Sequence, residues 1–172
     1  MAVSLSTTIE DHRIASLAAL AIGIHVLESA LPSPIPGLKP GFANIVTVVA
    51  LIHHGWRTAA WIAVLRVLVG SLLLGTFLAP TFIMSAAGAA AGLAALAAGR
   101  ALPGRGFGPV GFSLVSAVAH MGAQFTAAYF LFVPHPGLLW LLPPLLTAAV
   151  VFGVFNGIIA GSALSSLRHG VS

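Results

Sequence analysis

The sequence predicts an all-α integral membrane protein, a six-transmembrane-helix bundle. Three observations predict it. Hydrophobic residues make up 59% of the 172 residues and charged residues 6%, whereas an average soluble domain is about 25% charged. The apolar residues fall into successive runs, most of them near the ~20 residues that a span requires. The few basic residues punctuate those runs, and their order fixes which ends share a side.

The first span is predicted from Arg13 to Ala30, where a proline-rich stretch stops it. The second runs from Gly41 to about His54. It is short enough that a re-entrant hairpin competes with a full span. The third covers Thr58 to Ala79, the fourth Thr81 to Gly99, the fifth Pro109 to Val133 and the sixth Leu138 to about Leu167. If every segment crosses, Arg13, Arg57, Arg100, Arg105 and Arg168 fall on one side and only Lys39 on the other. The positive-inside rule then puts both termini in the cytoplasm. A re-entrant second segment would separate Arg13 from Arg57, so six full spans are preferred. Residues 1–172 are read as one membrane domain. It has a cytoplasmic N-terminal segment at 1–12 and a Pro/Gly-rich outer loop at 31–41. Glu10 and Asp11 precede the first apolar run, which argues against a cleaved signal peptide. With no cysteine, neither disulfides nor thiolate metal sites enter. Seven scattered Lys and Arg residues make no nucleic-acid-binding patch.

Small residues four apart, Gly88 with Gly92 and Gly153 with Gly157 and Gly161, predict helices whose backbones approach closely. Ala15 and Ala19 repeat the spacing on the first helix.

The candidate site is read from polar residues inside apolar runs. Arg66 sits in Trp61-Ile-Ala-Val-Leu-Arg66-Val-Leu-Val-Gly70. A guanidinium at mid-bilayer costs about 2.5–3.5 kcal/mol on insertion scales, so it persists where it has a partner or a task. At a rise of about 1.5 Å per residue, Arg66 lies about 13 Å above Arg57, and His120 lies about 17 Å along the fifth helix from Pro109. Gln124 is one turn beyond His120 on the same face, and His25 shares a face with Glu28. Glu28 and Asn44 sit near the outer ends of the first two helices. Lys39 rides on Leu31-Pro-Ser-Pro-Ile-Pro-Gly-Leu-Lys-Pro-Gly-Phe-Ala-Asn44, stiffened by prolines and hinged at Gly37 and Gly41. Glu28, Lys39, Asn44, Arg66, His120 and Gln124 are therefore the expected substrate-binding residues of an outward-opening polar pocket. Two cations against one carboxylate suit a carboxylate- or phosphate-bearing solute. The structural alternative is an Arg66–Glu28 ion pair. A metal held by His25, Glu28 and His120 is the weaker option, and no metal or cofactor is expected. Asn156 reads as interhelical glue, and His53 and His54 as interfacial side chains pointing apart.

The stretch Leu31 to Val46 resembles the signature of the Gx transporter family, which is catalogued as heptaprenyl diphosphate synthase component I. Leu65 to Phe82 and Ala119-His-Met-Gly-Ala-Gln124 are similar to the same pattern, and the resemblance covers about Ala18 to Ala163. That family is in turn similar to the S components of energy-coupling-factor transporters. The resemblance implies a membrane transport protein of the bacterial inner membrane that captures a small solute from the outer face. It also implies an energy-coupling module of a coupling subunit and ATPases as partner, with the coupling subunit docked on the first helix, where Ala15 and Ala19 would form the interface. The alternative implied by the catalogue name is a membrane subunit of isoprenoid diphosphate synthesis. Prenyl transfer needs carboxylate-rich motifs that hold magnesium, and this chain has three acidic residues in all. It is therefore expected to be no enzyme by itself. With no Gly-rich loop ending in Gly-Lys-Ser/Thr, it is expected to hydrolyse no ATP.

Overall fold

A computed structural model describes residues 7–31, 40–101 and 107–169. The described residues are helical. They form α1 (Ile9–Ala30), α2 (Ala43–His53), α3 (Trp56–Leu73), α4 (Pro80–Ala101), α5 (Pro109–Ala127) and α6 (Leu142–His169). A π turn (Ala128–Phe132) extends α5, and a 3₁₀ turn (Pro136–Leu141) leads into α6. Five of the helical segments are long and apolar enough to cross a membrane, so the chain is a multi-pass helical membrane protein.

Local chemistry sets the helix ends. Thr8 and Asp11 close a reciprocal capping box that starts α1, four residues before the apolar run, so the helix begins earlier than hydropathy alone indicates. Prolines at the first positions of α4 and α5 start those helices where no N–H partner is needed. Gly55, at φ 96°, makes the reversal between α2 and α3. That left-handed conformation is cheap only for glycine.

The two ends of the bundle can be told apart by contact. Arg57 Nε lies 3.9 Å from Glu10 Oε1, and Arg13 Nη1 lies 3.4 Å from His54 Nδ1. Arg100 Nη1 is 3.8 Å from where a Cβ on Gly55 would stand, and Pro109 flanks Gly161. The start of α1, the α2–α3 turn, the end of α4, the start of α5 and the end of α6 therefore share one face, along with Arg13, Arg57 and Arg100. Arg105 and Lys39 lie outside the described residues.

The rings of His53 and His54 do not point apart, as helical spacing implies. They meet edge to face with centroids 4.5 Å apart. The helix ends at His53, and His54 turns out of it at φ −116°, so the 100° step between neighbours no longer applies.

The second segment is the unusual one. α2 has 11 residues, about 16 Å of helix, against a hydrocarbon core of about 30 Å. It packs against α1, α3, α5 and α6, with Val46, Thr47, Val48, Ala50 and Leu51 buried. Measured from the basic face, its N-terminus stops roughly halfway through the bundle. The glycine pairs set the remaining contacts. A Cβ on Gly157 would stand 2.5 Å from Val110 Cα, and one on Gly153 would stand 3.0 Å from Leu114 Cα. α6 thus lies directly against the α5 backbone. Gly88 and Gly92 do the same for α4, receiving His120, Gln124 and Ser116 of α5.

Candidate functional site

A cavity of about 170 Å³ opens where α2 begins. Glu28 and His25 of α1, Asn44 of α2, Arg66 of α3 and His120 and Gln124 of α5 all line it. Five of the six expected binding residues thus converge on one space. The sixth, Lys39, lies outside the described residues. Pro40 and Gly41, which lead into α2, line the cavity as well.

The convergence has a plain geometric origin. Arg66 is ten residues into α3, about 15 Å above its start at Trp56. That is the level at which α2 begins. His120 and Gln124 reach the cavity across the α4–α5 contact because Gly88 has no side chain. A Cβ there would be 2.7 Å from His120 Nε2 and 2.8 Å from Gln124 Cγ.

Glu28 and Arg66 are both buried, at 5% and 7% exposure. They are the cavity's opposite formal charges, yet they form no ion pair. Among the described residues the pair within bonding distance is Arg57–Glu10, at the surface. The Glu28 carboxylate instead accepts the Phe42 N–H at 2.7 Å and, more weakly, the Ala43 N–H at 3.4 Å. These donors stand at the start of α2, where the helix offers no partner. Phe42, the α2 N-cap residue, supplies no side-chain cap of its own. Glu28 therefore caps α2 from a neighbouring helix and neutralises the positive end of its dipole.

Arg66 is left without such a partner. Its Nε is buried and makes no hydrogen bond. A buried guanidinium without a bonded anion is costly, and here it borders open space. Its fork of N–H donors suits a planar or tetrahedral oxyanion.

Asn156 of α6, 3% exposed, combines two roles. Its Nδ2 donates to the Pro40 carbonyl at 2.9 Å and the Gly41 carbonyl at 3.3 Å, tying α6 to the lead-in of α2. It is the helix-to-helix glue its sequence position suggests, and it also lines the cavity. The apolar lining, Val67, Met84, Met121, Ala149 and Phe152, carries no signal in the sequence. Each sits in a run of similar residues, and only the helix register selects it. His25 packs its ring on Gly70. Among the described residues no three His, Asp or Glu side chains are grouped to hold a metal. Ala15 and Ala19 lie exposed on α1, away from the cavity.

These features define a class, a multi-pass helical membrane protein with a cavity that holds a buried guanidinium at the start of a central short helix. The chain belongs to the heptaprenyl diphosphate synthase component I family, whose profile matches residues 17–163. No curated protein matches it. Among solved structures it is similar to the S component of a bacterial ECF transporter, with a TM-score of 0.54 and 13% identity, over 93% of this chain and 95% of that one. At that identity the likeness is one of fold. The S-component-like architecture expected from the sequence is therefore found, as is the family.

Proposed function

We propose that this protein is the solute-capturing membrane subunit of a transport system, binding a small anionic solute in the cavity. The observation that carries this reading is Arg66, a buried cation whose nearest candidate counter-ion is occupied in capping α2. An anion entering the cavity supplies the missing partner. Arg66 takes its charge, and Asn44, His120 and Gln124 border the same space as polar contacts. Lys39 belongs to the same proposal as a second cation at the outer side. The lining residues lie in the half of the bundle away from the basic face, so with that face cytoplasmic the solute enters from outside the bacterial inner membrane.

Nothing in the chain supplies an ATP-binding loop, so uptake needs a separate energising module. The row Ala15, Ala19 and Gly23 on the exposed side of α1 is where small side chains would let a coupling subunit's helices approach. The test is solute binding by the purified protein with Arg66→Ala and Lys39→Ala. Loss of affinity is expected, and unchanged affinity in both variants removes the pocket.

The family description favours a second reading, a non-catalytic membrane subunit of isoprenoid diphosphate synthesis. A pull-down in mild detergent separates the two. The transport reading expects a coupling subunit and ATPases, and the other expects a soluble, aspartate-rich synthase.

A further inference from the structure

The charge, size and lining of the cavity together narrow the ligand. Counted from the basic end of each helix, Arg66 stands about 15 Å up, whereas Met84 and Phe152 each stand about 25 Å up. The cationic group is therefore at the floor, and apolar residues contribute to the wall above it. Asn44 and His120 share the floor with Arg66, while Met84, Ala149 and Phe152 line the upper part together with Thr81, Ser85 and Gln124.

Charge limits the head group. Among the described residues the cavity holds one guanidinium whose charge is not bonded. One fork matches one carboxylate in bidentate fashion. A phosphate dianion would bring a second negative charge into a buried site that also contains Glu28.

Size limits the body. The cavity measures about 170 Å³, and an apolar cavity of about 150 Å³ admits benzene. One ring bearing one small polar group fills such a space. A polyprenyl tail does not fit inside it. The composition of the wall favours a flat ring. Two thioethers, Met84 and Met121, make favourable sulfur contacts with aromatic edges, and Phe152 can stack or pack edge to face.

We propose that the cavity binds a ring-sized aromatic monocarboxylate, taken in head first, with its carboxylate on Arg66 and its ring between Met84, Met121 and Phe152. This rests on the anion-capture reading above and narrows it. The test uses the full chain in lipid nanodiscs and calorimetric titration with benzoate, cyclohexanecarboxylate, their two amides, inorganic phosphate and farnesyl phosphate.

Benzoate is expected to bind saturably. Benzamide is expected to be weaker by about 10- to 150-fold, the worth of a charge-assisted hydrogen bond. Cyclohexanecarboxylate should fall between them. Phe152→Ala should weaken benzoate by about 2- to 10-fold while leaving thermal stability near that of the parent. Amides that bind as well as the acids overturn the proposal. So does binding of phosphate or farnesyl phosphate with the ring acids silent, although the anion-capture reading then survives. If no anion in the panel binds, both fall together.

Discussion

Glu28 and Arg66 line one cavity, yet the Glu28 carboxylate holds the N–H groups of Phe42 and Ala43 and leaves the Arg66 guanidinium unbonded. The short central helix is what separates them. α2 ends inside the bundle, so its first amides need an acceptor where water is scarce. A carboxylate on α1 meets that need. The negative charge that could have neutralised Arg66 is thereby committed to the backbone, and the cavity keeps a positive floor.

This division of labour gives Arg66→Met an unusual expectation. Breaking a buried ion pair costs about 3–5 kcal/mol, and at about 2–4 °C per kcal/mol for a chain of this size that would lower Tm by roughly 6–20 °C. Arg66 has no bonded partner to strand. Without solute, Tm of the Arg66→Met protein should equal or exceed that of the parent, while anion binding is lost. Thermal unfolding of both proteins in nanodiscs decides it, and a large fall in Tm would restore the ion pair.

Glu28→Ala should behave in the opposite way. It orphans one buried and one half-buried amide and removes a cap, which costs about 1–3 kcal/mol. Glu28→Gln keeps one acceptor oxygen and should lose less. A Glu28→Ala protein as stable as the parent would show that α2 does not depend on this carboxylate.

The contrast between these two residues also marks what the sequence can convey. That Arg66 lies at mid-depth follows from counting residues from Arg57, and that Gln124 shares a face with His120 follows from helical period. Both are one-dimensional facts. The role of Glu28 is not, because its acceptor geometry depends on how α1 and the start of α2, 14 residues apart, are docked. The Asn156 contact with the Pro40 carbonyl spans 116 residues, and no local pattern encodes it. Composition hides the apolar wall for a different reason. Met84 and Phe152 differ from their neighbours only in direction. Most span boundaries are legible because prolines and glycines enforce them. The third is not: α3 ends at Leu73 rather than Ala79, because the apolar run continues through a turn with Gly75 and Leu78 at positive φ. The early start of α1 escapes because a polar capping box, rather than hydropathy, sets it.

His54 makes stability depend on pH near the basic face. Partial burial, then the Arg13 guanidinium, then His53 hold its pKa below the ordinary value of 6.5. As pH falls below about 6.5 the unfolded chain takes up the proton first. The contribution from this residue is therefore complete above that pH and is lost as pH falls towards the folded-state pKa. Tm measured between pH 8 and pH 5 should decline more steeply for the parent than for His54→Asn. Parallel profiles would show that His54 has no part in the decline.

Sidedness can be tested directly, because the chain contains no cysteine and single cysteines can be placed in a clean background. With the basic face cytoplasmic, Arg100→Cys should react with an impermeant maleimide only after the cells are permeabilised. Lys39→Cys should react in intact cells. Labelling of both positions under the same condition would place them on one side and overturn the proposed entry route.

The contact between α5 and α6 should be the least tolerant of added volume. A methyl group on Gly157 would lie 2.5 Å from Val110 Cα and 3.2 Å from the Pro109 carbonyl oxygen. Both are backbone atoms, which cannot rotate aside as a side chain can. Gly157→Ala must push the helices apart, and overpacking of this kind costs about 1–3 kcal/mol. Because α6 carries Asn156 and Phe152 into the cavity, the same displacement should weaken solute binding without touching a lining residue. Gly23→Ala is the matched control. Nothing lies within 4 Å of its added methyl, so stability and binding should both hold. Equal thermal stability of the two variants would mean that α5 and α6 do not meet through the Gly157 backbone.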